Sequence, residues 1–286
     1  MMLRLLTFSL LCFWSFNSFA QASPWLPEPE TGSLSLTYVF QTADKFYRAE
    51  RRRPTPGNGE DLNQHTLWLN AHYGFNDRLA FDLRTGYAQS DFITGPGIPT
   101  IDDSFNGLAD SNIGVTWRVI DEFIAEGPLP SVALRAAAII EGDYDTGYIN
   151  SIGDGGSGVE GSIIVGKLLG NTVGLLGELG YRSRSNDIPE EVFVHLSGYY
   201  MIQHWTASIQ YQQTNATSGL DIGGPGFSPS RFPELEEDKE MVGLGLSYDI
   251  NYDFNVGFNL LTTVNGRNTD DSHAVAVTVG YSFSLY

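Results

Sequence analysis

The sequence predicts an all-β protein: a transmembrane, antiparallel, up-and-down β-barrel of about 12 strands. Three observations predict it. The chain opens on an export signal. It then alternates large apolar with small or polar residues through segments of about ten residues. The links between those segments are alternately long and short. A period of two puts the two residue sets on opposite faces of a strand. Long loops at one end and tight turns at the other is the arrangement of outer-membrane barrels.

The N-terminus reads as a signal peptide, residues 1–22. Arg4 supplies the positive charge, and residues 5–16 are an apolar run too short to span a bilayer. Small residues at Ala20 and Ala22 suit the cleavage site. Cys12 is the only cysteine and lies inside this segment, so the mature chain is expected to have no disulfide. The formal charge is -18, from 16 Lys+Arg against 34 Asp+Glu, which argues against nucleic acid as a partner. After the signal no apolar run reaches the ~18 residues of a membrane helix.

Residues 23–32 form a Pro-containing leader, expected on the periplasmic side, and 33–286 the barrel. The first strand, 33–41, carries Leu34, Leu36, Tyr38 and Phe40 on one face. A polar link containing Arg51, Arg52 and Arg53 leads to strand 66–75. The tight break Asn76-Asp77 opens the next strand, with Phe81, Leu83 and Tyr87 outward. A long link precedes 112–120, a medium one with Pro128 and Pro130 precedes 132–141, and a Gly/Asp-rich one precedes 161–169. The break Gly170-Asn171 joins 172–182, and a further link joins 191–202. Gln203-His204 opens 205–213. The longest link, 214–239, precedes 241–250, the break 251–253 opens 254–264, and 265–272 links to the last strand, 274–283. Two-residue breaks of this composition suit hairpin turns. The even count brings both termini to the short-turn, periplasmic side of a Gram-negative outer membrane. Aromatic residues, among them Phe75, Phe81, Trp117, Tyr200, Trp205, Tyr252, Phe254 and Tyr281, gather at the short-turn ends as an interfacial girdle.

The last strand doubles as a candidate assembly signal, with Val275, Val277, Val279, Tyr281 and Phe283 on its apolar face. Barrel closure requires it to pair with the first strand, because unpaired backbone groups are not tolerated in hydrocarbon.

With the large residues facing lipid, the other set lines the lumen. Its charged members are the candidate selectivity residues: Asp82, Arg84, Arg118, Arg135, Glu141, Glu178, Arg182, His195 and Asp249. Trp68, Ile139, Leu176, Phe193, Tyr199, Met201 and Leu261 also point inward, so the lumen is mixed. Lys167 falls in a strand apolar on both sides and is expected to snorkel at its end. His195 and Ser197 stand at i and i+2, the spacing that places a base and a nucleophile on one strand face; they define an alternative reading as a lipid acyl hydrolase. Lumen-lining is preferred, because Leu196 and Tyr200 take the lipid side. A closed structural or adhesion barrel is a third reading. Asp143, Asp145, Gly147 and Asp154 lack the glycine and glutamate spacing of a calcium loop, so no metal or other cofactor is expected.

The run Gly107-Leu108-Ala109-Asp110-Ser111-Asn112-Ile113-Gly114 resembles the Gly-x-Gly-Asp-x-x-x-Gly turn and strand of an outer-membrane family labelled for the meta-pathway of phenol degradation. The stretch from Pro130 through Arg135 to Gly142-Asp143 resembles that family's next strand. Ala109 replaces the second Gly, and Ile140-Glu141 stand where the family has Pro-Thr. The resemblance implies a transporter-like barrel for passive uptake of small solutes, aromatic or hydrophobic ones included, and carries no catalytic residue. Expected partners are outer-membrane lipid and lipopolysaccharide, the barrel-assembly machinery and a small-molecule solute.

Overall fold

The computed structural model describes residues 23–56, 60–93 and 104–285. The predicted signal segment, part of the link before residue 104, and Tyr286 lie outside them. Thirteen strands are present among the described residues. They are β1 (Thr31–Arg48), β2 (Arg51–Pro54), β3 (Leu62–Asn76), β4 (Leu79–Asp91), β5 (Ser104–Ile120), β6 (Ser131–Ile140) and β7 (Gly158–Leu169). The series continues with β8 (Val173–Arg184), β9 (Glu191–Ile202), β10 (Trp205–Ala216), β11 (Asp238–Asp249), β12 (Phe254–Arg267) and β13 (Asp270–Ser284). Each strand pairs with its neighbours in sequence, and β1 pairs with both β3 and β13, so that Leu36 lies opposite Leu69 on one side and Val279 on the other. All strands except β2 form the closed wall of 12.

The predicted alternation is the wall's inside and outside. Leu34, Leu36, Leu69, Ile113, Ile163, Leu179, Leu196, Leu246, Val277 and Val279 are exposed; Thr37, Thr116, Ser162, Ala274 and Ala276 are buried. An exposed apolar belt running round a whole molecule is far larger than water tolerates, and it fits hydrocarbon. At the short-turn end the girdle aromatics pack across hairpins. Phe75 meets Phe81 edge-on at 6.0 Å, Trp205 meets Tyr248 at 4.7 Å and Phe254 meets Tyr281 at 5.0 Å. Lys167 reaches from the outer face to Glu122 at 3.0 Å and to the Leu129 carbonyl.

Several strands run further than their hydrophobic pattern. β1 extends seven residues beyond Gln41 to Arg48 and turns at Ala49, in left-handed conformation (φ 45°), so the arginine run becomes β2 instead of a link. β5 begins at Ser104, which places Gly107 to Ser111 within a strand. β12 and β13 shrink the link predicted at 265–272 to a tight turn at Asn268 (φ 51°) and Thr269. Outside hydrocarbon a strand needs backbone partners but no apolar face, so hydropathy gives no notice of these extensions.

Both mouths are partly covered. At the short-turn end the leader crosses the opening. Pro24 is fully buried against Gly166, Pro27 and Glu28 lie against Gly74, and the Trp25 indole packs against Ile164, Leu176 and Tyr199. Its Nε1 donates to Glu122 Oε1 at 2.8 Å. At the other end the link after β10 bonds to the β12–β13 turn, where the Asn268 amide donates to the carbonyls of Leu220 and Glu236, and Ser230 reaches Gly147 of the link after β6. The link after β6 is tied to β5 by Tyr144, whose hydroxyl donates to Asp110 at 2.5 Å. Burial and the adjacent Asp110 carboxylate push the Tyr144 phenol up, so it stays a neutral donor.

At the closing seam the Phe283 ring lies over Gly32 of β1; a Cβ there would stand 2.6 Å from Phe283 Cζ. Tyr281 and Phe283 share a face and stack at 6.4 Å. Phe283→Ala is therefore expected to slow barrel assembly more than Tyr286→Ala, as judged by heat-modifiable mobility on gels; the reverse order would refute this register.

Candidate functional site: the charged wall of the barrel interior

At mid-height the interior charges are concentrated on one half of the wall, β4 to β9; toward the long-loop end the other half has a pair of its own, Lys239 of β11 with Asp270 of β13 at 2.7 Å. One row of directly paired positions runs Asp82, Gly114, Ala137, Glu160, Arg182, Glu191, one residue from each strand in turn. Gly114 and Ala137 are the small members, and Arg135 of β6 lies over the gap they leave. Its Nε and one terminal nitrogen donate to Asp82 at 3.1 and 2.6 Å, while the other terminal nitrogen donates to Glu160 at 2.6 Å. It also donates to Asn112. A Cβ at Gly114 would stand 2.5 Å from Asp82 Oδ1 and 2.7 Å from the guanidinium, so glycine is what lets a β6 arginine reach β4. This pairing is bidentate and dry, with Arg135 only 3% exposed.

The ladder continues through Arg182, which bonds Glu160 at 2.8 Å and Glu191 at 2.9 Å, and through Arg184, which bonds Glu191 and Asp154 at 2.9 Å each. Glu178 accepts from Ser162 at 2.6 Å and meets His195 Nδ1 at 3.2 Å. A polar cavity of about 130 Å³ adjoins this wall, lined by Asp110, Ser111, Asn112, Ile139, Arg182 and Arg184.

The other half of the wall, β10 to β13 with β1 and β3, carries small or uncharged residues at mid-height. Thr37 and Thr278 share a hydrogen bond of 2.9 Å, Asn70 donates to Ser35 at 3.2 Å, and Gln210 donates to Asn259 at 3.3 Å. Ala274, Ala276 and Gly280 add no bulk. At mid-height the interior thus has a bulky, charged side and a leaner, uncharged side.

Where the halves meet, Trp68 of β3 and Arg84 of β4 form a stack, with the guanidinium carbon 4.0 Å from the indole centroid. Gly86, opposite Trp68 in register, makes room for it: a Cβ there would stand 2.5 Å from the ring. Arg84 has no hydrogen bond or ion pair among the described residues, and its Nε is buried without a partner.

Five of the predicted charged residues, Asp82, Arg84, Arg135, Glu178 and Arg182, lie on this wall, and His195 joins them through Glu178. The other three lie near the rims. Arg118 bonds the Asp77 carbonyl and Asp121 at the short-turn end. Glu141 is exposed one residue beyond β6. Asp249 closes β11, where its amide donates to the His204 carbonyl. His195 meets Glu178, and no hydrogen bond joins it to Ser197 among the described residues. Glu160, Arg184 and Glu191 are not among the lumen candidates read from the sequence, and Asp154 enters there only as part of an acidic link. Glu160 shares its parity with inward Ser162 and Ile164, as Arg184 does with Arg182, so continuing the period past the hydrophobic segment would have found both.

No protein-family model matches the sequence, and no curated protein matches it significantly. Solved structures do. An outer membrane channel from Pseudomonas putida F1 superposes with a TM-score of 0.70 at 13% identity, over 92% of this chain and all of that one. The NanC porin superposes with a TM-score of 0.50 at 10% identity, over 87% of this chain and 98% of the porin. At such identities the likeness is one of fold: a closed barrel of the outer-membrane type.

Proposed function

We propose that this barrel is a passive outer-membrane channel for small solutes. The observation that carries the proposal is the division of the interior. Small barrels are filled by their side chains and large ones leave channels; here, at mid-height, bulky charged residues brace one half, while the inward positions of β11 to β13 and β1 are mostly alanine, glycine, serine and threonine, with Asn259 and Leu261 the larger members. Such a division leaves a conduit along the neutral wall, beside a fixed polar track. The leader and the link after β10 narrow its two ends.

The short-turn end, with both termini, is taken as periplasmic, and the exposed loops as facing lipopolysaccharide. The outer-membrane channel with which the fold superposes supports this reading, as does the resemblance of residues 107–114 to the phenol meta-pathway family, which favours aromatic or hydrophobic solutes. Assembly through the barrel-assembly machinery follows from the β13 pattern.

Liposome swelling and planar-bilayer conductance test the proposal. Reconstituted barrel is expected to pass small solutes below about the size of a disaccharide, given a barrel between the filled eight-strand and open sixteen-strand cases. A barrel that stays impermeable to all of them, with the leader trimmed, overturns it.

A further inference from the structure

Every arginine of the charged wall but one has its carboxylates. Arg135 holds Asp82 and Glu160, Arg182 holds Glu160 and Glu191, and Arg184 holds Glu191 and Asp154. Arg84 is the exception among the described residues. Neither Arg182 nor Glu160, each engaged with partners of its own, is hydrogen-bonded to it. Leaving a guanidinium in a lumen without an anion is costly. Yet the surroundings hold this one in place: Gly86 vacates space for the Trp68 ring, and the ring supports the flat face of the guanidinium. With one face covered, the donors that remain point along the guanidinium plane. An edge-on, coplanar approach is the geometry of a carboxylate taking two parallel N–H donors.

We infer that Arg84, held flat on Trp68, is a binding site for the carboxylate of a small organic anion passing through the lumen. This deepens the channel reading and rests on it. Other anions entering the conduit meet guanidinia already neutralised by Asp82, Glu160, Glu191 and Asp154, so Arg84 is where the wall distinguishes a solute carrying a carboxylate from a neutral one of the same shape. Trp68 acts as a positioning residue, fixing the plane of the donors without meeting the solute's charge itself.

Benzoate and its neutral analogue benzamide are suitable probes, because they match in size and differ in charge. Influx into proteoliposomes is compared for the wild type, Arg84→Gln, Arg84→Lys and Trp68→Leu, each first shown to be folded by heat-modifiable mobility. Arg84→Gln is expected to lower benzoate selectivity over benzamide by about tenfold, the worth of a charge-assisted hydrogen bond, with benzamide influx unchanged. Arg84→Lys and Trp68→Leu keep the charge and lose the planar presentation, so both are expected to fall between. Equal losses for both solutes in Arg84→Gln, or no loss in either, overturn the inference.

Titration calorimetry with sodium benzoate on the detergent-solubilised barrel separates this site from the channel. Saturable heat in the wild type that vanishes in Arg84→Gln upholds the site even in a barrel that conducts nothing. Absence of such heat in a barrel that conducts overturns the site and leaves the channel standing.

Discussion

Arg135→Met is expected to destabilise the barrel by about 3–5 kcal/mol, the cost of breaking a buried ion pair from one side. The substitution removes the cation that joins β4 to β7 and strands the Asp82 carboxylate. Asp82 is 7% exposed and Glu160 6%; Glu160 retains Arg182, but Asp82 loses its bidentate partner. Methionine fits the volume, so little of the loss is a packing effect. Urea unfolding from lipid vesicles, followed by tryptophan emission, gives the measurement. The partner substitution Asp82→Asn in the same chain should return much of the loss, because the stranded charge is then gone. A single variant within 1 kcal/mol of wild type, below the usual cost of an uncompensated buried charge, would show that water or another cation replaces the guanidinium.

The second large effect belongs to the leader. An aromatic side chain of this kind covers about 150–250 Å², and Trp25→Gly removes it from the short-turn mouth. Single-channel conductance is expected to rise by roughly twofold or more, since in a barrel of this width one indole is a large part of the opening. Trp25 lies outside the strand ladder, so assembly should proceed as in the wild type. Glu122→Gln, which keeps the shape of the Trp25 partner but removes its charge, is expected to raise conductance less. Unchanged conductance in a folded Trp25→Gly barrel would place the narrowest point elsewhere, the link after β10 being the next element across the lumen.

Particular residues show how far the chain could be read without its fold. Ile113, Val115 and Trp117 alternate with Asn112, Gly114 and Thr116, and the wall keeps that order. The inward assignment of Arg135, Glu178 and Arg182 rests on the same local rule. Glu160 is hidden from the pattern because the apolar signal starts at Gly161, although β7 begins at Gly158. The sequence marks the leader only as a short passage before the barrel. Nothing in Pro24-Trp25 by itself distinguishes a free segment from one packed against Ile164 and Tyr199, more than a hundred residues away.

Alternation is a property of neighbouring residues, imposed by the geometry of a single extended chain and by hydrocarbon on one of its faces. It therefore sets the fold class, the number of wall strands and, within each alternating segment, the side on which a side chain stands. The partner of each charge is a matter of register and closure. Arg135 meets Asp82 only because Gly114 happens to lie opposite both strands' contact, and Arg84 is left without a carboxylate because Glu160 and Glu191 fall in a row that Arg182 and Arg135 reach first. Those relations are between strands, fixed by how far each hairpin slides along the next, and so they exist only in the closed barrel.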